Sequence, residues 1–271
     1  MQIAERVALI TGGASGIGLA VARQLAREGI RAIAVVDVSE LVFDFCREIN
    51  EEFNRQVAFP FRGDVSDATF RREVVAAVSR DHGPVNICIP AAGIVRDGLA
   101  VKLDKATGKA RLYDQALFEK TVAVNLVAPV YWAMEAIATV AEDRAARGLG
   151  AWQPDEPMEG AIVFIGSISS AGNKGQISYA STKAGLEGAQ STLAKEAIYY
   201  GVRCGIVHPG FTDTPMVRAM DQRIIREEVL PHTQLRRLLL PEEIADAICF
   251  LIRNSAVSGA LWADAGWRPS A

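Results

Sequence analysis

"VALITGGASGIGLAVARQLAREG", residues 7–29, decides the fold. Val7–Ile10 is an apolar run with the length of a buried strand, and from Gly16 to Glu28 apolar residues recur at helical spacing. Between them lies a turn holding Gly12, Gly16 and Gly18. A strand that turns tightly into a helix brings backbone N–H groups and the positive helix end together, and glycine lets a pyrophosphate approach them. In this strand-turn-helix setting the cluster predicts a dinucleotide site made by Gly12, Ser15, Gly16, Ile17 and Gly18.

The same alternation continues to the end of the chain. Further strands are predicted at Ala32–Val36, Val57–Phe61, Val85–Ile89, Ala161–Ile165, Val202–Val207 and Ala260–Ala263. Helices are predicted at Ser39–Phe53, Asp67–Asp81, Gln115–Arg147, Tyr179–Tyr200 and Pro241–Ile252, the last opening on Pro-Glu-Glu, a helix-start signature. Several strands are continuous apolar runs, as strands covered on both faces are. Right-handed crossovers then imply an α/β, doubly wound, Rossmann-like parallel sheet of about seven strands with helices on both faces. No linker divides the chain, so residues 1–271 are expected to be one domain. The polar stretches 96–114 and 148–160 interrupt the rhythm and are expected as surface loops, the first an alternative edge of a substrate cleft.

Composition narrows the function. Half the residues are hydrophobic, enough for a full core, and the net charge of −3 offers no long-range attraction to nucleic acid or an anionic membrane. The first apolar run is too short for a signal peptide, and no later stretch is read as a membrane span, so a cytoplasmic protein is expected. Cys46, Cys88, Cys204 and Cys249 lack C-x-x-C spacing and are expected as free core thiols. His82, His208 and His232 have no ligand spacing, so no metal is expected.

Asp37 ends the strand "AIAVVD" 19 residues beyond Gly18, where a carboxylate can accept from both adenosine ribose hydroxyls. It would repel a 2′-phosphate, and no cation lies in the glycine turn or just after Asp37, so NAD is expected rather than NADP. After the third strand, Asp64 and Val65 either flank an adenine ring or, for Asp64, cap the helix near Asp67.

"YASTK", residues 179–183, places a phenol and an ammonium one helical turn apart. Interconverting an alcohol and a ketone requires a proton to move at the oxygen, and Tyr179 can supply or accept it. A free phenol titrates near ~10, and a nearby cation such as Lys183 is expected to lower that value.

Three motifs together resemble the short-chain dehydrogenase/reductase family: "TGGASGIG" at 11–18, "YASTK" at 179–183 and "HPGFTDTPM" at 208–216. The likeness runs nearly end to end and is greatest to 3-oxoacyl-carrier-protein reductases and 3-hydroxyacyl-CoA dehydrogenases. It implies a catalytic group of Ser167, Tyr179, Lys183 and Asn125, in which Ser167 orients the substrate oxygen, Lys183 also holds the nicotinamide ribose, and Asn125 serves a water-linked proton path. It further implies cofactor contacts at Ala92, Gly93, Pro209, Gly210, Thr212 and Thr214, and a homo-oligomer, dimer or tetramer, built with helices such as that carrying Tyr179. Residues 211–240 are read either as a lid over a small-molecule alcohol or ketone or as helices packed on the body.

The chain departs from the family pattern in two places. Pro90-Ala91-Ala92-Gly93 stands where N-N-A-G is usual, and Ser167 precedes Tyr179 by 12 positions, one fewer than usual, which leaves Ser169 as an alternative partner. The same departures motivate a second reading, a non-catalytic NAD-binding sensor or scaffold.

Overall fold

A computed structural model describes residues 1–267. Seven strands form one parallel sheet: β1 (Val7–Thr11), β2 (Ala32–Asp37), β3 (Ala58–Arg62), β4 (Ile87–Pro90), β7 (Gly160–Ile165), β8 (Val202–Pro209) and β9 (Gly259–Ala263). Their order is β3-β2-β1-β4-β7-β8-β9, so the chain winds outward from β1 in one direction, then crosses back and winds the other way from β4. That reversal opens a crevice at the carboxyl ends of β1 and β4, where open α/β sheets bind ligands.

Both faces are covered, as the unbroken apolar strands require. Every residue of β1 is buried. On one face lie α1 (Gly16–Arg27), α2 (Leu41–Glu52) and α9 (Pro241–Arg253), with Val21, Leu25, Ile49, Ile244 and Ile248 in their core. On the other lie α3 (Ala68–His82), α5 (Ala128–Ala146) and α6 (Ile177–Glu196), packed through Val74, Trp132, Ala136, Leu186 and Phe164. The four cysteines are free and buried.

α4 (Gln115–Val122) leads into α5 through a π-helical turn, Ala123–Val127. By length and composition alone the continuous run Gln115–Ala146 is long and apolar enough to cross a membrane. Its apolarity belongs to the protein core: Trp132, Ala133 and Ala136 are fully buried, and the Trp132 indole N–H donates to the Val65 carbonyl at 3.0 Å.

The two polar stretches are more ordered than plain loops. Within 96–114, β5 (Val101–Leu103) and β6 (Ala110–Leu112) pair as an antiparallel hairpin, with Val101 opposite Leu112 and Lys102 opposite Arg111. The 148–160 stretch is pinned by Arg144, 1% exposed, which holds Glu156 at 2.7 Å, Glu159 at 3.2 Å and the Gly150 carbonyl at 3.0 Å. Residues 211–240 do not form a pair of regular helices packed on the body. They form short turns: α7 (Pro215–Arg218), α8 (Gln222–Ile224), a π-turn over Ile225–Val229 and a 3₁₀ turn over Leu230–His232. Ile225 and Val229 are buried beneath them.

Candidate functional site

The crevice is a cleft of about 460 Å³. The glycine turn forms one wall. Gly12 has a φ of +68°, and a side-chain carbon there would sit 2.7 Å from the Ala92 backbone. At Gly18 it would lie 2.3 Å from the Gly12 carbonyl, so only glycine lets the turn fold back onto α1. Ser15 precedes α1 without a side-chain cap, which leaves the first N–H groups of the helix facing the cleft. Bare amides, a positive helix end and a close backbone approach fit a pyrophosphate, so the residues present suit a dinucleotide.

Asp37 closes the next part of the wall. Its two carboxylate oxygens accept from Ala14 N–H at 3.0 Å and Ser39 N–H at 2.9 Å. Each oxygen keeps a further lone pair for a hydroxyl donor. The glycine turn and the residues just after Asp37 hold no cation, but a neighbouring strand brings one. Sheet pairing sets Arg62 directly beside Asp37, where its guanidinium bonds the Val38 carbonyl at 3.3 Å and the Glu40 carboxylate at 2.7 Å. Chain distance hides this neighbour; strand register reveals it.

Asp64 and Val65 line the same cleft. Asp64 is not the cap of α3, because Asp67 is, accepting from Thr69 N–H at 2.7 Å and Phe70 N–H at 3.1 Å. Asp64 instead accepts from the Ser66 hydroxyl and amide and from Lys120 Nζ at 3.1 Å, contacts that hold its carboxyl below the usual range. Lys120 also lines the cleft and was not anticipated from sequence.

Pro90-Ala91-Ala92-Gly93 keeps its place without amide side chains. The backbone N–H of Ala91 donates to the Thr11 carbonyl at 3.1 Å, and that of Ala92 to the Thr11 hydroxyl at 3.2 Å. Ala92 and Gly93 thereby line the cleft beside Gly12. Opposite, Pro209 at the end of β8 and Gly210, Thr212 and Thr214 after it line the cleft. Thr212 donates its hydroxyl to the Gly210 carbonyl at 3.0 Å, and Thr214 caps α7.

At the far end Ser167 and Tyr179 face the same space. Ser167 is buried, and its hydroxyl accepts from Ser169 N–H at 3.0 Å. The Ser169 hydroxyl is engaged elsewhere, on the Gln176 side-chain oxygen at 2.9 Å. Of the two serines, only Ser167 lines the cleft.

Lys183 and Asn125 stand behind this front. Lys183 is buried, and its Nζ donates to the Ile165 carbonyl at 2.7 Å while lying 5.5 Å from the centre of the Tyr179 ring. The Asn125 amide pairs with one peptide group: it accepts from Ile94 N–H and donates to the Ile94 carbonyl, both at 2.8 Å. This clamp sits at the π-helical turn, where the helix widens.

The electrostatics differ from the expectation that Lys183 lowers the phenol. Packing around the Tyr179 hydroxyl pushes it above its ordinary value, the Ser167 hydroxyl pulls it back, and the Asp97 carboxylate pushes it up again. Burial also pushes Lys183 down to about 8. With its ammonium committed to a carbonyl, Lys183 is not the dominant influence on the phenol.

α6 offers small residues on two sides. Gly185 packs against Leu126 within the chain, where an added carbon would come within 2.9 Å, whereas Ser181 and Ala184 face outward.

The fold and cleft define a nicotinamide-dependent oxidoreductase class, and the chain belongs to the short chain dehydrogenase family, whose model matches residues 6–224. Over 257 residues it is 31% identical to the 3-oxoacyl-(acyl-carrier-protein) reductase FabG of Thermotoga maritima, covering 94% of both chains. It is 31% identical over 262 residues to the (3R)-3-hydroxyacyl-CoA dehydrogenase of Canis lupus familiaris, covering 93% of this chain and 90% of the relative. To the cis-4-hydroxycyclohexanecarboxylate dehydrogenase of Sinomonas cyclohexanicum it is 32% identical over 270 residues, covering 97% of each.

Proposed function

We propose that this protein is an NAD-dependent oxidoreductase that interconverts a secondary alcohol and a ketone, and that its substrate is a 3-hydroxyacyl or 3-oxoacyl thioester. The observation that carries the reading is one cleft lined at one end by the glycine turn and Asp37 and at the other by Ser167 and Tyr179. When bound, the cofactor supplies hydride acceptance and donation. The chain's own residues supply the proton and the geometry.

Tyr179 gives its proton to the substrate oxygen in reduction and takes one from it in oxidation. Ser167, its hydroxyl set by the Ser169 amide, donates to that oxygen and orients it. Lys183 holds the nicotinamide ribose and supplies a cation behind the phenol, and Asn125 braces the Ile94 peptide beside the proton path. Gly12, Ser15, Gly16, Ile17 and Gly18 receive the pyrophosphate, Asp37 the adenosine ribose, Asp64 and Val65 the adenine side. Ala92, Gly93, Pro209, Gly210, Thr212 and Thr214 hold the nicotinamide half. Pro215, Met216 and Val217, which border the cleft, belong to a lid formed by residues 211–240.

Asp37 favours NAD because its carboxylate meets the 2′-hydroxyl and repels a 2′-phosphate. The thioester assignment draws on the names of the reductase and dehydrogenase relatives. Exposed Val127, Tyr131 and Met134 near the start of α5 support a homo-oligomer.

The test is a panel of hydroxy compounds and the corresponding ketones, including 3-hydroxyacyl thioesters and cyclic alcohols, assayed in parallel with NAD and NADP. Turnover of a 3-hydroxyacyl thioester with preference for NAD is expected. Tight NAD binding without turnover of any compound would favour the sensor reading instead.

A further inference from the structure

His208 lies one residue before the Pro209-Gly210 turn, and the chemistry above does not use it. It is 1% exposed, and its Nδ1 stands 3.2 Å from both the backbone N and the carbonyl O of Ser167 and 3.4 Å from the Ser170 hydroxyl. The imidazole reaches bare backbone only because Gly166 intervenes: a side-chain carbon there would fall 2.5 Å from Nδ1. Trp262 of β9 stacks on the ring at 4.3 Å and 15°. From α6, Nε2 faces the Glu187 carboxylate at 3.8 Å, and the Lys183 ammonium acts on the ring from the same helix. The remaining neighbours, from the loop after β7, are serine hydroxyls and peptide groups.

A neutral imidazole has one donor nitrogen and one acceptor nitrogen. The hydrogen is assigned to Nε2, which points toward the Glu187 carboxylate at 3.8 Å without a direct hydrogen bond, because the Ser167 N–H at 3.2 Å needs a lone pair on Nδ1. That lone pair suits the Ser167 N–H and not its carbonyl. Ser167 is then held twice, its amide by His208 and its hydroxyl by Ser169 N–H.

We propose that His208 is a positioning residue that holds the Ser167 amide from Nδ1 and so aims the Ser167 hydroxyl beside Tyr179. Protonation of the ring turns Nδ1 from acceptor to donor, releases the amide, moves the bond to the Ser167 carbonyl and misdirects the hydroxyl. Burial keeps His208 below its ordinary value, with the Ser167 carbonyl and Glu187 pulling it up and Lys183 down, so the holding form prevails near neutral pH. The kinetic consequence depends on the oxidoreductase reading; the hydrogen bond does not.

Two variants and one spectroscopic measurement test it. In His208→Asn the amide oxygen takes the place of Nδ1 and accepts from Ser167 N–H but does not titrate, whereas His208→Leu removes the acceptor. For His208→Leu a fall in kcat of roughly 10- to 100-fold is expected, the cost of a misplaced reacting group, with NAD affinity and Tm near wild type. Wild-type kcat should decline below neutral pH, and His208→Asn should recover most of kcat and lack that decline. Nitrogen-15 NMR of the three histidines, assigned by the signal absent from His208→Asn, should give the Nε2–H tautomer at neutral pH. Equal kcat in both variants, or an Nδ1–H tautomer, overturns the proposal. If wild type turns over no compound, the catalytic role falls with the oxidoreductase reading, and the tautomer still decides whether the bond exists.

Discussion

The two ends of the cleft are built on different physics. At the nucleotide end the backbone does the work: glycines that no side chain can replace, an uncapped helix start and a carboxylate tied to two amides. At the chemical end the work falls to titratable groups: packing pushes the hydroxyl of the half-buried Tyr179 up, and burial pushes Lys183 and His208 down. Errors of shape should therefore disable the first end, and errors of charge the second.

The largest effect is expected at the chemical end. Tyr179→Phe should lose roughly 10³-fold in turnover, the usual scale for a general acid/base, while calorimetric NAD affinity stays near wild type. Lys183→Met separates function from stability. Its folded value of about 8 lies below the ordinary 10.5, so below pH 8 both states are charged and the fold carries the full cost of burying the ammonium. Between about 8 and 10.5 the folded lysine is neutral and that cost fades. The variant should lose ~10²-fold in turnover yet gain about 1–2 kcal/mol of stability at pH 7, after subtracting the bond to Ile165. Urea unfolding should show the gain shrinking as pH rises.

A shape error comes next: Gly18→Ala forces the turn off the Gly12 carbonyl and should weaken NAD binding about 100-fold, with overpacking costing ~1–3 kcal/mol of stability. Asp37→Ser should shift the ratio of kcat/KM for NADP over NAD about tenfold, because the repelling carboxylate is gone and Arg62, on leaving Glu40, can pair with a 2′-phosphate; Asp37→Ser with Arg62→Ala should lose that gain. Its pairing with Glu40 is exposed on both sides and easily broken. Lys120→Ala is expected to change NAD affinity less than about threefold, since its pairing with Asp64 is half-exposed.

The difference between the ends also explains what the sequence made legible. The glycine turn, Asp37 and all seven sheet strands declare themselves through local pattern, and the cleft gathers Gly12, Asp37, Ser167 and Tyr179 from four separate stretches. Arg62 was missed because only strand register sets it beside Asp37. The hairpin at 101–112 was missed because its turn residues read as loop, although the alternation of Val101-Lys102-Leu103 against Ala110-Arg111-Leu112 was there to find. The balance at Tyr179 had no local signal: spacing brought a cation near the phenol, but the depth of both groups and the Ile165 carbonyl that captures the ammonium arise only in the folded chain. His208 likewise looked like one histidine before a Pro-Gly turn.

Burial, rather than the lysine charge, governs the phenol at the chemical end. Its most direct test is to titrate Tyr179 by carbon-13 tyrosine NMR in wild type and in Lys183→Met, with Tyr179→Phe assigning the signal. A phenol that titrates above its ordinary value in both proteins is the predicted result. A phenol at or below that value in wild type, rising in Lys183→Met, would contradict it and return control of the proton to the lysine.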